Sequence, residues 1–171
     1  MLQLINNLIN KPVISFRTGT TIATVYAPLI NPDNLKIEGF YCQDRFHNNP
    51  LILLYADIRD FNGAVYFVND TDALSEPNEL VRLKKIIDMS WQLNGKMVYT
   101  VSKQKVGKVS DYAVEVETMY IQKLYVSQSL LKNFKLSSLS VDRSQIQEIT
   151  DNRVIIQDLV SGSQITATVA A

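Results

Sequence analysis

The stretch IRDFNGAVYFVND, Ile58 to Asp70, returns without a gap as IQEITDNRVIIQD, Ile146 to Asp158. Laid over one another, the blocks pair Ile58 with Ile146, Asp60 with Glu148, Phe61 with Ile149, Phe67 with Ile155, Val68 with Ile156 and Asp70 with Asp158. Each has an acid between apolar residues, then a turn signal (Asn62-Gly63 or Asp151-Asn152), then a run of β-formers. Asn, Asp and Gly tolerate the positive φ that tight hairpin turns demand, so each block reads as a short hairpin. A block that recurs at this length is the mark of a repeated unit.

Upstream, Leu8–Cys42 lies over Leu93–Val126 with one gap, placed at Thr21. The identities are Leu8/Leu93, Lys11/Lys96, Val13/Val98, Val25/Val109, Ile37/Ile121 and Tyr41/Tyr125; Ser15/Thr100 and Leu35/Met119 are close in kind. Val13–Phe16 and Val98–Val101 read as strands, followed by turns at 17–20 and 102–105 and by returning strands. In Ala113-Val114-Glu115-Val116-Glu117 apolar and charged residues alternate, the period of a half-buried strand. Leu35–Cys42 and Met119–Val126 follow, so each copy is a string of short strands with close turns. Strands of this length and spacing predict a mainly β fold of two small barrels in tandem. The first would occupy 1–74 and the second 92–160, with a flexible tail at 161–171.

Between them, 75–91 reads as a connecting helix. Ser75 offers an N-cap, Pro77 suits the first turn, and Glu76 and Glu79 complement the positive end of a helix dipole. Leu80, Leu83, Ile86 and Ile87 recur at helical spacing, leaving Arg82, Lys84, Lys85 and Asp88 to solvent. Ser129–Phe134 suggests a shorter helical turn in the second copy, while Gln43–Pro50 reads as a polar loop.

The pattern resembles the PRC-barrel family. Its carriers are Leu8, Lys11, Val13, Ala23, Val25, Asp57-Ile58 and Val65–Val68 in copy one. In copy two they are Leu93, Gly95-Lys96, Val98, Gly107-Lys108-Val109, Gln145-Ile146 and Arg153–Ile156. Copy two is the closer match; copy one has Asn10 for the first glycine and Ala23 for the second. The family includes the cytoplasmic part of the photosynthetic reaction-centre H subunit and the C-terminal half of a bacterial ribosome maturation factor. The resemblance implies a protein-binding or assembly module and no enzyme. It does not carry over either specific function, since one fold hosts many.

Composition bounds the chemistry. The 171 residues carry 17 Lys+Arg against 17 Asp+Glu, so no bulk charge draws the chain to nucleic acid or anionic membrane. Residues 1–88 hold 8 bases and 10 acids and residues 89–171 hold 9 and 7, a mild split of −2 against +2. One cysteine, Cys42, excludes an intramolecular disulfide, and one histidine, His47, excludes any chemistry needing two imidazoles. The opening MLQLINNLINK lacks the basic and apolar regions of a secretory signal, and no apolar run reaches membrane-spanning length. A cytoplasmic protein is the expectation.

Cys42 and His47 lie five residues apart and would make a nucleophile–base dyad if they met. The aligned Val126 argues instead for a small buried residue at 42. Asp57 and Asp60 read as turn or edge carboxylates. Arg17-Thr18-Gly19-Thr20-Thr21 lacks the frame of a phosphate loop and reads as a hairpin turn. No residue is singled out as catalytic, cofactor-binding or metal-ligating. The candidate contacts, for nucleic acid or a partner, are Lys103, Lys105 and Lys108 at a turn of copy two, and Tyr120, which stands where copy one has Lys36. The functional expectation is a non-enzymatic interaction or scaffold module that binds a protein, with homo-oligomerisation open. The alternative is an RNA- or ribosome-associated assembly factor.

Overall fold

The computed structural model describes residues 1–128 and 137–159. The helical turn expected at Ser129–Phe134 and the tail at 161–171 lie outside the described residues. The first half runs β1 (Leu2–Leu4), β2 (Lys11–Ser15), β3 (Thr21–Asn31), β4 (Lys36–Gln43), β5 (Leu51–Leu54), β6 (Asp60–Phe61), β7 (Tyr66–Val68) and β8 (Leu74–Ser75). A short helix, α1 (Lys84–Met89), leads to β9 (Met97–Thr100), β10 (Lys105–Glu115), β11 (Tyr120–Gln128), β12 (Ser137–Asp142), β13 (Ile146–Ile149) and β14 (Arg153–Ile156). The fold is mainly β, as the spacing of strand and turn signals predicts.

Both halves follow one pairing scheme. The order β6-β7-β2-β3-β4-β5 in the first matches β13-β14-β9-β10-β11-β12 in the second. Residue registers coincide as well. Val13 lies opposite Tyr66 in a parallel pair, as Val98 does opposite Val154. Asp60 lies opposite Phe67 as Glu148 does opposite Ile155. Even the irregularities agree: β3 slips register twice against β4, between Val25 and Ala27 and between Leu29 and Ile30, and β10 twice against β11, between Val109 and Asp111 and between Ala113 and Val114. Bulges at these matching points bend the long strands, so each half curls around its apolar face.

The turn between the first two strands is anchored the same way in each half. The buried Ser15 donates from Oγ to the Asn69 carbonyl and to Asp70, at 3.3 and 3.4 Å, and Arg17 meets Asp70 at 3.0 Å. Thr100, also buried, accepts from the Gln104 amide at 3.1 Å, while Asp158 takes the Ser102 amide at 3.0 Å. Gly19 and Lys103 share φ of 66°, and Thr20 and Gln104 return equivalent carbonyls to Ser15 and Thr100. Thr21 therefore matches Lys105, and the length difference falls in the turn at 16–18 rather than at Thr21, where the alignment puts its gap.

The halves meet along one seam. β5 covers only Gly39–Cys42 of β4, and β12 covers Lys123–Gln128 of β11. The uncovered stretches pair with each other: Ile37 donates to Met119 at 2.8 Å and Ile121 donates to Leu35 at 2.9 Å. Leu35 and Met119 both turn through positive φ, 53° and 60°, to enter the seam. β1 crosses over to pair with β10, while α1 packs on β3, so each half's leading segment rests on the other half's long strand.

Two expectations change. The described strands form one mixed sheet whose ends do not pair, not two closed barrels. The halves join instead through β4 and β11, and a buried cluster draws Ile37, Phe40 and Tyr66 together with Ile121, Leu124 and Val154. The helix expected over 75–91 is also broken up. Ser75 is held in β8 opposite Ile52, and Glu76, not Ser75, caps a 3₁₀ turn at Pro77–Glu79. Leu80 then leaves helical space (φ −94°, ψ 66°), a second 3₁₀ turn spans Val81–Leu83, and only Lys84–Met89 is α-helical before Ser90 ends it at φ 46°.

Candidate interaction surfaces

The loop after β4 carries the most exposed large apolar side chain described, Phe46, at 91%. Its presentation is fixed from beneath. Asp44 accepts the amides of Phe46 and His47 at 3.1 and 2.8 Å through Oδ1, and holds His47 Nδ1 at 2.6 Å through Oδ2. Partial burial opposes ionisation of Asp44, but these hydrogen bonds outweigh it and hold its carboxyl below the usual carboxylate range. His47 is thus the partner of Asp44. The dyad weighed from the sequence is not assembled: Cys42 is fully buried on β4, and burial pushes its thiol up to about 12.

Phe46 stands at the rim of a groove of about 1060 Å³. One wall is the first half's hairpin, with Thr18, Thr21 and Thr24; the other is the linker, with Glu76 and Glu79. Those two carboxylates are oriented by their own capping box, Glu79 accepting the Glu76 amide at 2.9 Å. With Asp44 they line the groove beside Arg45, the one lysine or arginine among the described lining residues, for a net −2. Sequence reasoning missed this surface. It took Gln43–Pro50 as a plain loop and Glu76 and Glu79 as dipole partners of a helix, and only the pairing of β8 with β5 draws the linker against the hairpin.

The sequence candidates divide. Lys103, Lys105 and Lys108 are exposed together at the β9–β10 hairpin. Tyr120 is at the other end of the ladder, opposite Lys36 and Glu115. Its ring lies beneath Lys36 Nζ at 5.7 Å and the Arg143 guanidinium at 5.1 Å, so it is a seam residue. Asp57 lies in a 3₁₀ turn and Asp60 begins β6, apart from any groove lining above.

A second, apolar cavity of about 500 Å³ lies between β3 and the linker, lined by Tyr26, Pro28, Tyr41, Ile87, Trp91 and Tyr112. Burial raises the hydroxyl pKa of Tyr26 and Tyr41 above the usual phenol value. Among the described residues no cluster of His, Cys, Asp and Glu is arranged to hold a metal, and no helix is long and apolar enough to cross a membrane. No family model and no curated protein matches the chain.

Proposed function

We propose that this protein is a non-enzymatic, cytoplasmic interaction or assembly module built from two PRC-barrel-like units, 1–74 and 92–160, joined by the linker at 75–91. The shared strand order, registers and bulges support descent of the two units from one duplicated sequence. The observation that carries the binding role is Phe46: an aromatic ring at 91% exposure, presented by three bonds to Asp44 on the rim of a groove. An exposed ring on a braced loop loses little conformational entropy on docking and buries a large area. Affinity capture from the native cell, read by mass spectrometry, tests this. A protein captured by the native chain and lost with Phe46→Ser supports the reading; a capture profile indifferent to Phe46→Ser overturns it.

The second reading, an RNA- or ribosome-associated factor, is favoured by one observation: Lys103, Lys105 and Lys108 are exposed on a single hairpin. Three phosphate contacts give a log–log salt slope of only about −2 to −3, hence weak binding near physiological salt. A sub-micromolar complex with ribosomal RNA at about 150 mM salt, lost when the three lysines become Glu, would put this reading first.

A further inference from the structure

The acidic groove and the lysine hairpin occupy matching places in the two halves. Thr21 lies opposite Ile14 as Lys105 does opposite Tyr99, and Gly19 holds the left-handed position that Lys103 holds. Val25 lies opposite Cys42 as Val109 does opposite Val126, so the preceding residues, Thr24 and Lys108, correspond too. Where the first half shows neutral hydroxyls beside Asp44, Glu76 and Glu79, the second shows three ammonium groups. Among the described residues Asp158 is the carboxylate bound at that hairpin, through Ser102, which leaves the face at +2 against −2 for the groove. The same surface has been given opposite charge twice in one chain.

The chain cannot join these surfaces to each other. The seam fixes the Asn31–Lys36 end of β3 and the Glu115–Tyr120 end of β10, whereas Thr21 and Lys105 begin those same eleven-residue strands. Each surface is therefore about 30 Å along its strand from the seam, at a rise of about 3.3 Å per residue. Resting on the reading above that this is a protein-binding module, we infer that its partner includes a second copy of the chain. The lysine hairpin of one copy enters the acidic groove of the next. Phe46 packs on the lysine stems and on Val101, itself 57% exposed. The contact is heterologous: donor and acceptor surfaces differ, so every bound pair still offers one free groove and one free hairpin, and assembly proceeds to rings or open chains.

Equilibrium sedimentation of the full chain tests this, with charge variants that spare the capping box. Lys105→Glu with Lys108→Glu reverses the hairpin's charge and keeps the groove. Thr21→Lys with Thr24→Lys cancels the groove's net charge, using the side chains that the second half already carries at those positions. The native chain should show an average mass that climbs with concentration to about 500 μM at low salt and falls at least about tenfold in association constant at about 0.5 M salt. Each variant alone should stay monomeric, with unchanged circular dichroism. Mixed one to one they should form dimers and stop there, since only one groove and one complementary hairpin remain. A native chain that is monomeric throughout, or association indifferent to either variant, overturns self-docking. If that monomer still captures a protein through Phe46, the broader interaction reading stands; if it does not, both fall.

Discussion

The amide of Ile37 donates to the carbonyl of Met119 at 2.8 Å, and the relationship is returned by Ile121 and Leu35 at 2.9 Å. Two equivalent isoleucines thereby stitch the halves together while their side chains, both 0% exposed, fill the common core. Truncating either to Ala should cost about 2–5 kcal/mol, the lost transfer energy plus an unfilled cavity. Because the core is continuous across the seam, urea unfolding should show one transition, shifted as a whole by either variant. Two separated transitions, or a loss under about 0.5 kcal/mol, would count against a shared core.

Cys42 gives a pH dependence of definite sign. Burial raises its thiol from 9.0 to about 12 in the folded chain. Below the unfolded value the thiol is neutral in both states and stability is intact. As pH rises from there toward the folded value, the unfolded chain releases a proton that the native core retains, and stability falls by up to about 1.4 kcal/mol per pH unit. The buried Tyr66 and Tyr112, both also raised by burial, add to the decline at higher pH. Cys42→Val should therefore flatten the slope of unfolding free energy between about pH 9 and 10 without abolishing the later fall. An unchanged slope would mean that the thiol is not desolvated.

Lys103 stands at φ 66°, a conformation its first-half counterpart meets with Gly19. An L-residue there costs about 1–2 kcal/mol, of which a glycine returns part through its looser unfolded chain. Lys103→Gly should gain about 0.5–1 kcal/mol in urea unfolding. Lys105→Gly, at the start of β10 and paired with Tyr99, should lose stability instead. A loss at 103 would show that the ammonium group contributes more to the fold than the backbone strain removes.

Much of this architecture is readable from residue types, and the limits have physical causes. Ile37 and Ile121, Leu35 and Met119, and Asp70 and Asp158 are matched by sequence alone, because each serves a local register or turn that restricts what can stand there. The alignment gap is legible only to within a few residues, since a turn tolerates length changes that strands do not. The linker misleads more. Leu80, Leu83, Ile86 and Ile87 do keep a helical period, but Ser75 is committed to a ladder with Ile52, a long-range pairing that no local propensity records. The acidic groove escapes notice for the same reason: Asp44 and Glu76 are neighbours only after β5 and β8 have paired. Closure into barrels, read from strand spacing, gives way to a seam that depends on how far two short strands extend.

The last expectation concerns a pair of clamps that flank the seam. The Tyr55 hydroxyl donates to the Glu117 carbonyl at 2.5 Å, carrying a bond from the first half into the β10–β11 turn. Arg143, at the matching 3₁₀ turn of the second half, donates to the Asn34 carbonyl at 2.5 Å in the β3–β4 turn and to Ile121 at 3.0 Å. The two reach across in opposite directions with different chemistry. Tyr55→Phe keeps the ring and removes one bond, and should cost about 0.5–1.5 kcal/mol. Arg143→Lys should lose stability, because an ammonium donates from a single nitrogen and lacks the fork by which the guanidinium reaches two carbonyls from two nitrogens, and it stacks less well on Tyr120. Each clamp closes its own side of the seam, so the double variant reports how the seam opens. If the sides separate independently the two losses add within about 0.5 kcal/mol. If the seam opens as one unit, releasing the first clamp already weakens the second, and the combined loss falls short of the sum by more than that. Native-state hydrogen exchange at the Ile37 and Ile121 amides decides between them, since a cooperative seam deprotects both amides together in either single variant.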